Sequence, residues 1–282
     1  MMGSLMQKFF ELIILTSFVA CSGVTKINDK VNSYQNEVEV HPGKIVQIKL
    51  PNHFKESFIK CSNSSFPVST VGKPYFVYAE SYFSDLKPKV CKAENVNINI
   101  MVKEKQFPYE ELRVDRKRVS LNKKDLKRVR SEQKMLNKVY SQSMIDIIPR
   151  GNFKLPIRSK VTSEYGKRRL FNKKKKGQHL GIDFRAKVGK EIKAANDGKV
   201  VLAKNLFYTG NTVILYHGLG IFTVYGHLSQ ITVSENSDVR NGEIIGKAGK
   251  TGRVTGPHLH WGVKVNGQWV DGKDLLDLEF NI

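Results

Sequence analysis

Acidic side chains are scarce in this chain of 282 residues: 26 Asp and Glu stand against 47 Lys and Arg, a formal net charge of +21. Both halves are basic when the chain is divided after Arg150, so no single tail carries the excess. A charge of this kind favours polyanions such as nucleic acid, anionic lipid headgroups or a carboxylate-rich cell wall. Zinc-finger spacing, a heptad array and the aromatic ribonucleoprotein motif are all missing, which leaves nucleic acid without local support. No apolar run is long enough to stay in a bilayer as a spanning helix, and no long-period repeat occurs. Cysteine is confined to Cys21, Cys61 and Cys91. A chain of this length can bury a sizeable core and is no miniature disulfide scaffold. The patterns HExxH, HxxEH and GxSxG do not occur, so zincin, inverted zincin and serine-hydrolase chemistry have no local signature.

What is present begins with Lys8 and an apolar run from Leu12 to Ala20, which reads as a secretion signal spanning residues 1–21. The run ends Phe18-Val19-Ala20-Cys21-Ser22-Gly23, which is similar to a bacterial lipobox, whose cysteine is lipidated and becomes the first residue of the mature protein. Phe18 in place of leucine and Glu11 near the start of the run depart from that pattern. Two outcomes stay open: a lipid on Cys21 that anchors the chain to an envelope membrane, or ordinary signal cleavage with Cys21 incidental. With Cys21 set aside, Cys61 and Cys91 are an even pair in an exported protein, where disulfides persist, and a bridge between them is expected.

Residues 36–105 carry short β-rich runs, among them Val38-Glu39-Val40, Ile45 to Leu50, Tyr75 to Tyr78 and Val96 to Ile100, punctuated by Pro42-Gly43 and Gly72-Lys73-Pro74. They predict a small β-sandwich-like domain. Residues 106–156 read as a helical connector and linker. Asn122 can cap a helix with Asp125 in its first turn, and Leu126, Val129, Leu136, Val139 and Tyr140 fall mainly on one face. Its Lys/Arg face reads as solvated. From residue 157 to 282 strands with glycine turns replace helical periodicity, including Lys199 to Ala203, Thr212 to Tyr216 and Phe222 to Tyr225, and an antiparallel all-β domain is expected.

The chemistry concentrates in that last region. In Gly256-Pro257-His258-Leu259-His260-Trp261 the two histidines are one residue apart, and a strand points both imidazoles the same way. His227 stands in Tyr225-Gly226-His227-Leu228, and His179 and Asp183 in His179-Leu180-Gly181-Ile182-Asp183. A catalytic zinc takes three protein ligands and leaves a position for water. The five candidates exceed that need by two. On a flat strand His179 and Asp183 would be about 13 Å apart, too far to share an ion; Gly181 offers a place to bend. One histidine of the HLH pair would complete the set, leaving the other and His227 to move protons or stabilise an oxyanion. His217 reads as structural, and His41 and His53 as surface residues.

The text VTSEYGKRR, HLGIDF, NDGKVV, GNTVILYHGLG, VYGHLS and VRNGEIIGKAGKTGRVTGPHLHW, between about Val161 and Asp271, resembles the lysostaphin-like, LytM-type zinc peptidases that cut peptide crosslinks of bacterial peptidoglycan. The resemblance implies a mainly β fold with an antiparallel metallopeptidase domain, Zn2+ held by His179, Asp183 and His260, and His227 and His258 as catalytic histidines. Which of those two is the base stays open. The implied partner is peptidoglycan, cut at D,D-crosslinks, with the protein in the periplasm or on the outer membrane as a lipoprotein and no nucleic-acid partner. The alternative is a non-catalytic or autoinhibited wall-binding protein that activates other cell-wall hydrolases. Gly272, where many relatives have proline, and the basic run Lys173-Lys174-Lys175-Lys176 depart from the family pattern.

Overall fold

A strand buried on both faces must lie between two layers, and Tyr75–Ala79 is buried at every residue. It is the seam along which the two halves of the chain meet. The computed structural model describes residues 34–93, 95–113, 121–141 and 149–280. The expected signal segment and Cys21 lie outside the described residues.

The first half is a β-ribbon of β1 (Tyr34–Val40), β2 (Ile45–Lys49), β3 (Phe58–Cys61), β4 (Ser64–Ser69), β5 (Tyr75–Ala79), β6 (Lys89–Ala93) and β7 (Val96–Val102), in the order β1-β7-β6-β3-β4-β5-β2. Strand β4 pairs β3 through Ser64 to Pro67 and β5 through Val68 and Ser69. Ile48, Phe76 and Tyr78 thereby share one core with Ile59, Ile98 and Ile100. Cys61 and Cys91 face each other across β3 and β6 and form the expected disulfide. The other face of β5 points away from this core. Tyr75, Val77 and Ala79, with Ile45, are buried against Phe153, Leu275 and Phe280 of the second half, and Lys44 pairs Asp274 at 2.8 Å.

The second half is mainly β as well. Its principal sheet runs β17-β14-β15-β16-β19-β12-β9 with antiparallel neighbours, where β9 is Val161–Ser163, β12 Ile182–Arg185, β14 Gly198–Leu206, β15 Gly210–Tyr216, β16 Ile221–Ile231, β17 Asp238–Val239 and β19 His258–Val265. Strand alternation divides its residues between two environments. One face buries Val213, Leu215, Tyr225, Leu259, Trp261 and Val263 in the main core. The opposite face carries His258 and His260, and further along Ile214, Tyr216, Phe222 and Val224.

Helix α1 (Lys123–Tyr140) starts as the sequence predicts, with Asn122 Oδ1 accepting from the Asp125 N–H at 2.8 Å. It lies against that same histidine-bearing face, packing Leu136, Val139 and Tyr140 over Leu206, Ile214, Phe222 and Val224, while Leu126 is 38% exposed. The charge-rich side faces solvent. A smaller sheet, β11-β10-β8, flanks the site, with β8 at Tyr109–Leu112, β10 at Arg168–Phe171 and β11 at Lys175–Gln178. Strand β8 falls in the stretch read as connector and runs parallel to β10, with Glu110 opposite Arg169.

Candidate metal and catalytic site

Register builds the site. Asp183 on β12 is paired with His260 on β19 and with Ser163 on β9, so the three side chains share one face of the sheet. His179 precedes β12, and the chain bends at Gly181 to bring it back over that face. The result is a tight convergence: His179 Nε2 and His260 Nδ1 stand 2.9 and 2.8 Å from Asp183 Oδ1, and 3.3 Å from each other. A Cβ on Gly181 would lie 2.5 Å from His260 Cε1, so the close approach requires glycine there.

The donor set fits zinc. His179 Nδ1–H donates to the Glu164 carbonyl at 2.8 Å, which fixes the tautomer and leaves Nε2 as the lone-pair nitrogen. Two imidazole nitrogens and a carboxylate oxygen therefore crowd one point, and a cation is what such a cluster of acceptors takes. A tetrahedral centre with bonds of about 2.0–2.1 Å spaces its ligands about 3.3–3.4 Å apart. The 3.3 Å between the two imidazole nitrogens matches that spacing, while Asp183 Oδ1 stands closer to both, at 2.8 and 2.9 Å. Burial works to raise the Asp183 carboxyl, but the neighbouring His179 and His260 outweigh it and hold it well below the usual carboxylate range. Burial lowers His179, against the pull of Asp183.

His227 and His258 stand beside this cluster with ring centroids 4.7 Å apart. His227 Nδ1–H donates to the Thr251 carbonyl at 2.8 Å and His258 Nδ1–H to the Gly256 carbonyl at 2.9 Å. With Nδ1 donating, the neutral form of each ring carries its lone pair on Nε2, and His258 Nε2 is 3.7 Å from Asp183 Oδ1. Burial, with the charges of His260 and His258 adding to it, pushes His227 down to about 3, so its ring is neutral at physiological pH. Its backbone is held at φ 63°, a left-handed conformation that β-rich text gives no hint of, and its N–H donates to the Thr209 carbonyl at 2.6 Å.

All five histidine and aspartate candidates line one cleft of about 970 Å³, together with Arg169, Tyr208, Arg253 and the α1 residues Leu136 and Tyr140. His217 is buried elsewhere, between the Asp197 carbonyl and Thr223 Oγ1, each at 2.7 Å. His41 is half-buried against Pro42 and Lys105, and His53 is exposed. Lys173 and Lys174 lie in the exposed turn between β10 and β11, and Lys175 and Lys176 are exposed on β11 itself. Sequence reasoning missed the residues that support the ligands. Arg169 Nη2 donates to Ser163 Oγ at 2.8 Å and reaches Asp183 Oδ2 at 3.5 Å, and Arg169 Nε donates to Glu110 Oε1 at 2.6 Å. Ser163 and Arg169 stand in the quoted run VTSEYGKRR, a usable signal; Glu110 had none.

Residues 177–272 match Peptidase family M23. Over 129 residues the chain is 40% identical to the peptidoglycan DD-endopeptidase ShyA of Vibrio cholerae, covering 45% of this chain and 30% of that protein. It is 43% identical over 93 residues to the DD-carboxypeptidase/endopeptidase Mpg of Neisseria meningitidis, covering 33% of this chain and 21% of that one. The chain therefore spans less than a third of the length of these relatives. A peptidase M23 structure from Pseudomonas aeruginosa superposes with a TM-score of 0.64 at 25% identity, covering 83% of this chain and 94% of the other.

Proposed function

We propose, from the match of residues 177–272 to Peptidase family M23, that the chain is a zinc-dependent endopeptidase that hydrolyses the D,D peptide crosslinks of bacterial peptidoglycan. One observation carries the reading: three metal-ligating atoms converge within one cleft wall, and two lone-pair imidazoles stand beside them. The choice of bond follows the names of the relatives, both of which act as D,D-endopeptidases.

His179, Asp183 and His260 would hold the metal, and a bound zinc would supply Lewis-acid polarisation of the scissile carbonyl and a lowering of the pKa of water towards about 7. The protein's own groups do the rest. His227 and His258 divide between them acceptance of the proton from the attacking water and hydrogen bonding to the oxyanion, and the accepted proton then passes to the departing amine. The Thr251 and Gly256 carbonyls keep both rings in the tautomer this needs. The Glu164 carbonyl does the same for His179. No carboxylate base is required.

Export to the envelope is part of the same proposal. It is supported by the signal-like run before Cys21 and by the Cys61–Cys91 disulfide, a bond that persists in oxidising compartments. A lipid on Cys21 would then hold the enzyme at a membrane facing its substrate. A second reading, a wall-binding protein with an occluded site, is favoured by α1, which occupies the same face of the sheet as His258 and His260.

The test is mass spectrometry of purified peptidoglycan incubated with the zinc-loaded chain, beside a His260→Ala control. Conversion of crosslinked dimers to monomers by the intact protein alone is expected. An inert wild type that still binds the wall would replace the hydrolase reading with the second.

A further inference from the structure

Glu110 comes from outside the segment that matches the peptidase family, yet it is wired to the metal ligands. Strand β8 lies parallel to β10 in a register that sets Glu110 opposite Arg169. Glu110 Oε1 accepts from Arg169 Nε at 2.6 Å, and its other oxygen accepts from Lys167 Nζ at 3.4 Å. The far end of the same guanidinium donates to Ser163 Oγ at 2.8 Å and approaches Asp183 Oδ2 at 3.5 Å. Ser163 Oγ is in turn 3.2 Å from His179 Nδ1. One arginine thus approaches one ligand, Asp183, directly and a second, His179, through Ser163.

A cation in that position is hazardous for a metal site. Arginine presents a rigid fork that matches a carboxylate with two parallel hydrogen bonds. Left to itself, Arg169 could close on Asp183 in that way and take the carboxylate from the metal, and its charge would repel a divalent ion. Glu110 opposes both effects: it neutralises the guanidinium, and it holds the Nε edge so that only Nη2 reaches the site. Asp183 Oδ1 then stays with His179 and His260, while Oδ2 meets the arginine end-on.

We infer that Glu110 is a positioning residue of the zinc site, acting through Arg169 on Asp183 and Ser163, so that the catalytic unit begins at β8 and not at β9. The inference rests on the reading of His179, Asp183 and His260 as the metal ligands. It also makes the connector part of the enzyme, since a cut anywhere between β8 and β9 removes a group the ligands depend on.

The experiment measures Zn2+ affinity of the full chain by competition with a chromophoric chelator, for the wild type, Glu110→Gln, Glu110→Asp, Arg169→Gln and the double variant Glu110→Gln/Arg169→Gln, with a thermal melt of each. Outer partners of metal ligands are worth about 10–100-fold in affinity or activity. Glu110→Gln is expected to weaken zinc binding by about tenfold or more, within that range. Glu110→Asp, which keeps the charge, should recover most of the loss. In the Arg169→Gln background, Glu110→Gln should change affinity by less than about twofold, because the two residues act as one unit. On crosslinked peptides, kcat should fall in Glu110→Gln with KM unchanged. A purely architectural Glu110 would lower the melting temperature in both backgrounds and leave zinc affinity intact, and that result would overturn the inference. Because affinity is read without peptidoglycan, the outcome is independent of hydrolysis: an inert protein with the expected zinc pattern defeats the hydrolase proposal alone.

Discussion

Gly181 shows how little room the ligand set has. Its bend returns His179 towards Asp183, and its missing side chain lets His260 pass, since a Cβ there would meet His260 Cε1 at 2.5 Å and the Trp261 carbonyl at 2.8 Å. Real Cβ contacts are not found that close, so one of the two must move, and the imidazole is the freer. Gly181→Ala is therefore expected to displace His260 and weaken zinc affinity by about tenfold or more while the chain still folds, in keeping with the sensitivity of metal sites to ligand orientation. Chelator competition together with a thermal melt decides it; unchanged affinity would mean that the His260 ring has space to yield. His227 is the other residue under constraint. A left-handed non-glycine residue costs on the order of 1 kcal/mol or more, and the hydrogen bonds to Thr209 and Thr251 hold it there.

At the scale of elements, α1 and β8 are the two pieces that the amino-terminal half lends to the cleft. The sequence reading of α1 anticipated its cap and its apolar stripe, but a stripe says nothing about which surface it will cover. Tertiary packing sets it beside the histidines, with the Tyr140 ring edge-on to Phe222 and Trp269 at 5.3 and 5.9 Å and under Lys264 Nζ at 4.7 Å. Tyr140 and Leu136 both line the cleft. Tyr140→Ala should widen it on that side, so KM for a crosslinked muropeptide is expected to fall severalfold with kcat little changed. A rise in KM would make Tyr140 a substrate contact rather than an obstruction. Strand β8 escaped the sequence reading because Tyr109-Glu110-Glu111-Leu112 has neither β-branched residues nor a clear alternation, and its pairing with β10 is parallel and distant in sequence.

For the molecule as a whole, stability should depend on pH through a residue outside the site. His217 is fully buried, with Nδ1–H donating to the Asp197 carbonyl and Thr223 Oγ1 on Nε2, and its ring stands edge-on to Phe153, which also touches Phe280. Burial pushes it down to about 4, with the Asp197 carbonyl pulling the other way. In the unfolded chain a histidine titrates near about 6.5. Between those values the unfolded state binds the proton and the folded state does not, so stability is fully present above about 6.5 and is lost as pH falls through the folded value near 4. The loss approaches about 3 kcal/mol, on the order of 1.4 kcal/mol per unit of difference. Urea unfolding at pH 7 and pH 4 should show the wild type losing about that much more than His217→Gln. Equal losses would mean that His217 does not govern the acid sensitivity.

The chain's own text determined the mainly β architecture, the Cys61–Cys91 bridge and the cast of the site, because strand alternation, even cysteine pairing and histidine spacing are local patterns. HLGIDF and PHLHW each carry their chemistry within a few residues, and strand geometry alone predicts a shared face for His258 and His260. Only the tertiary structure decided that Asp183 lies opposite His260, that His227 sits in a left-handed turn of backbone, and that Glu110 and Arg169 stand behind the ligands. Those relations join residues that are remote in sequence, and cross-strand register is set by the burial of whole faces, a property of the packed sheet that no short window of sequence contains.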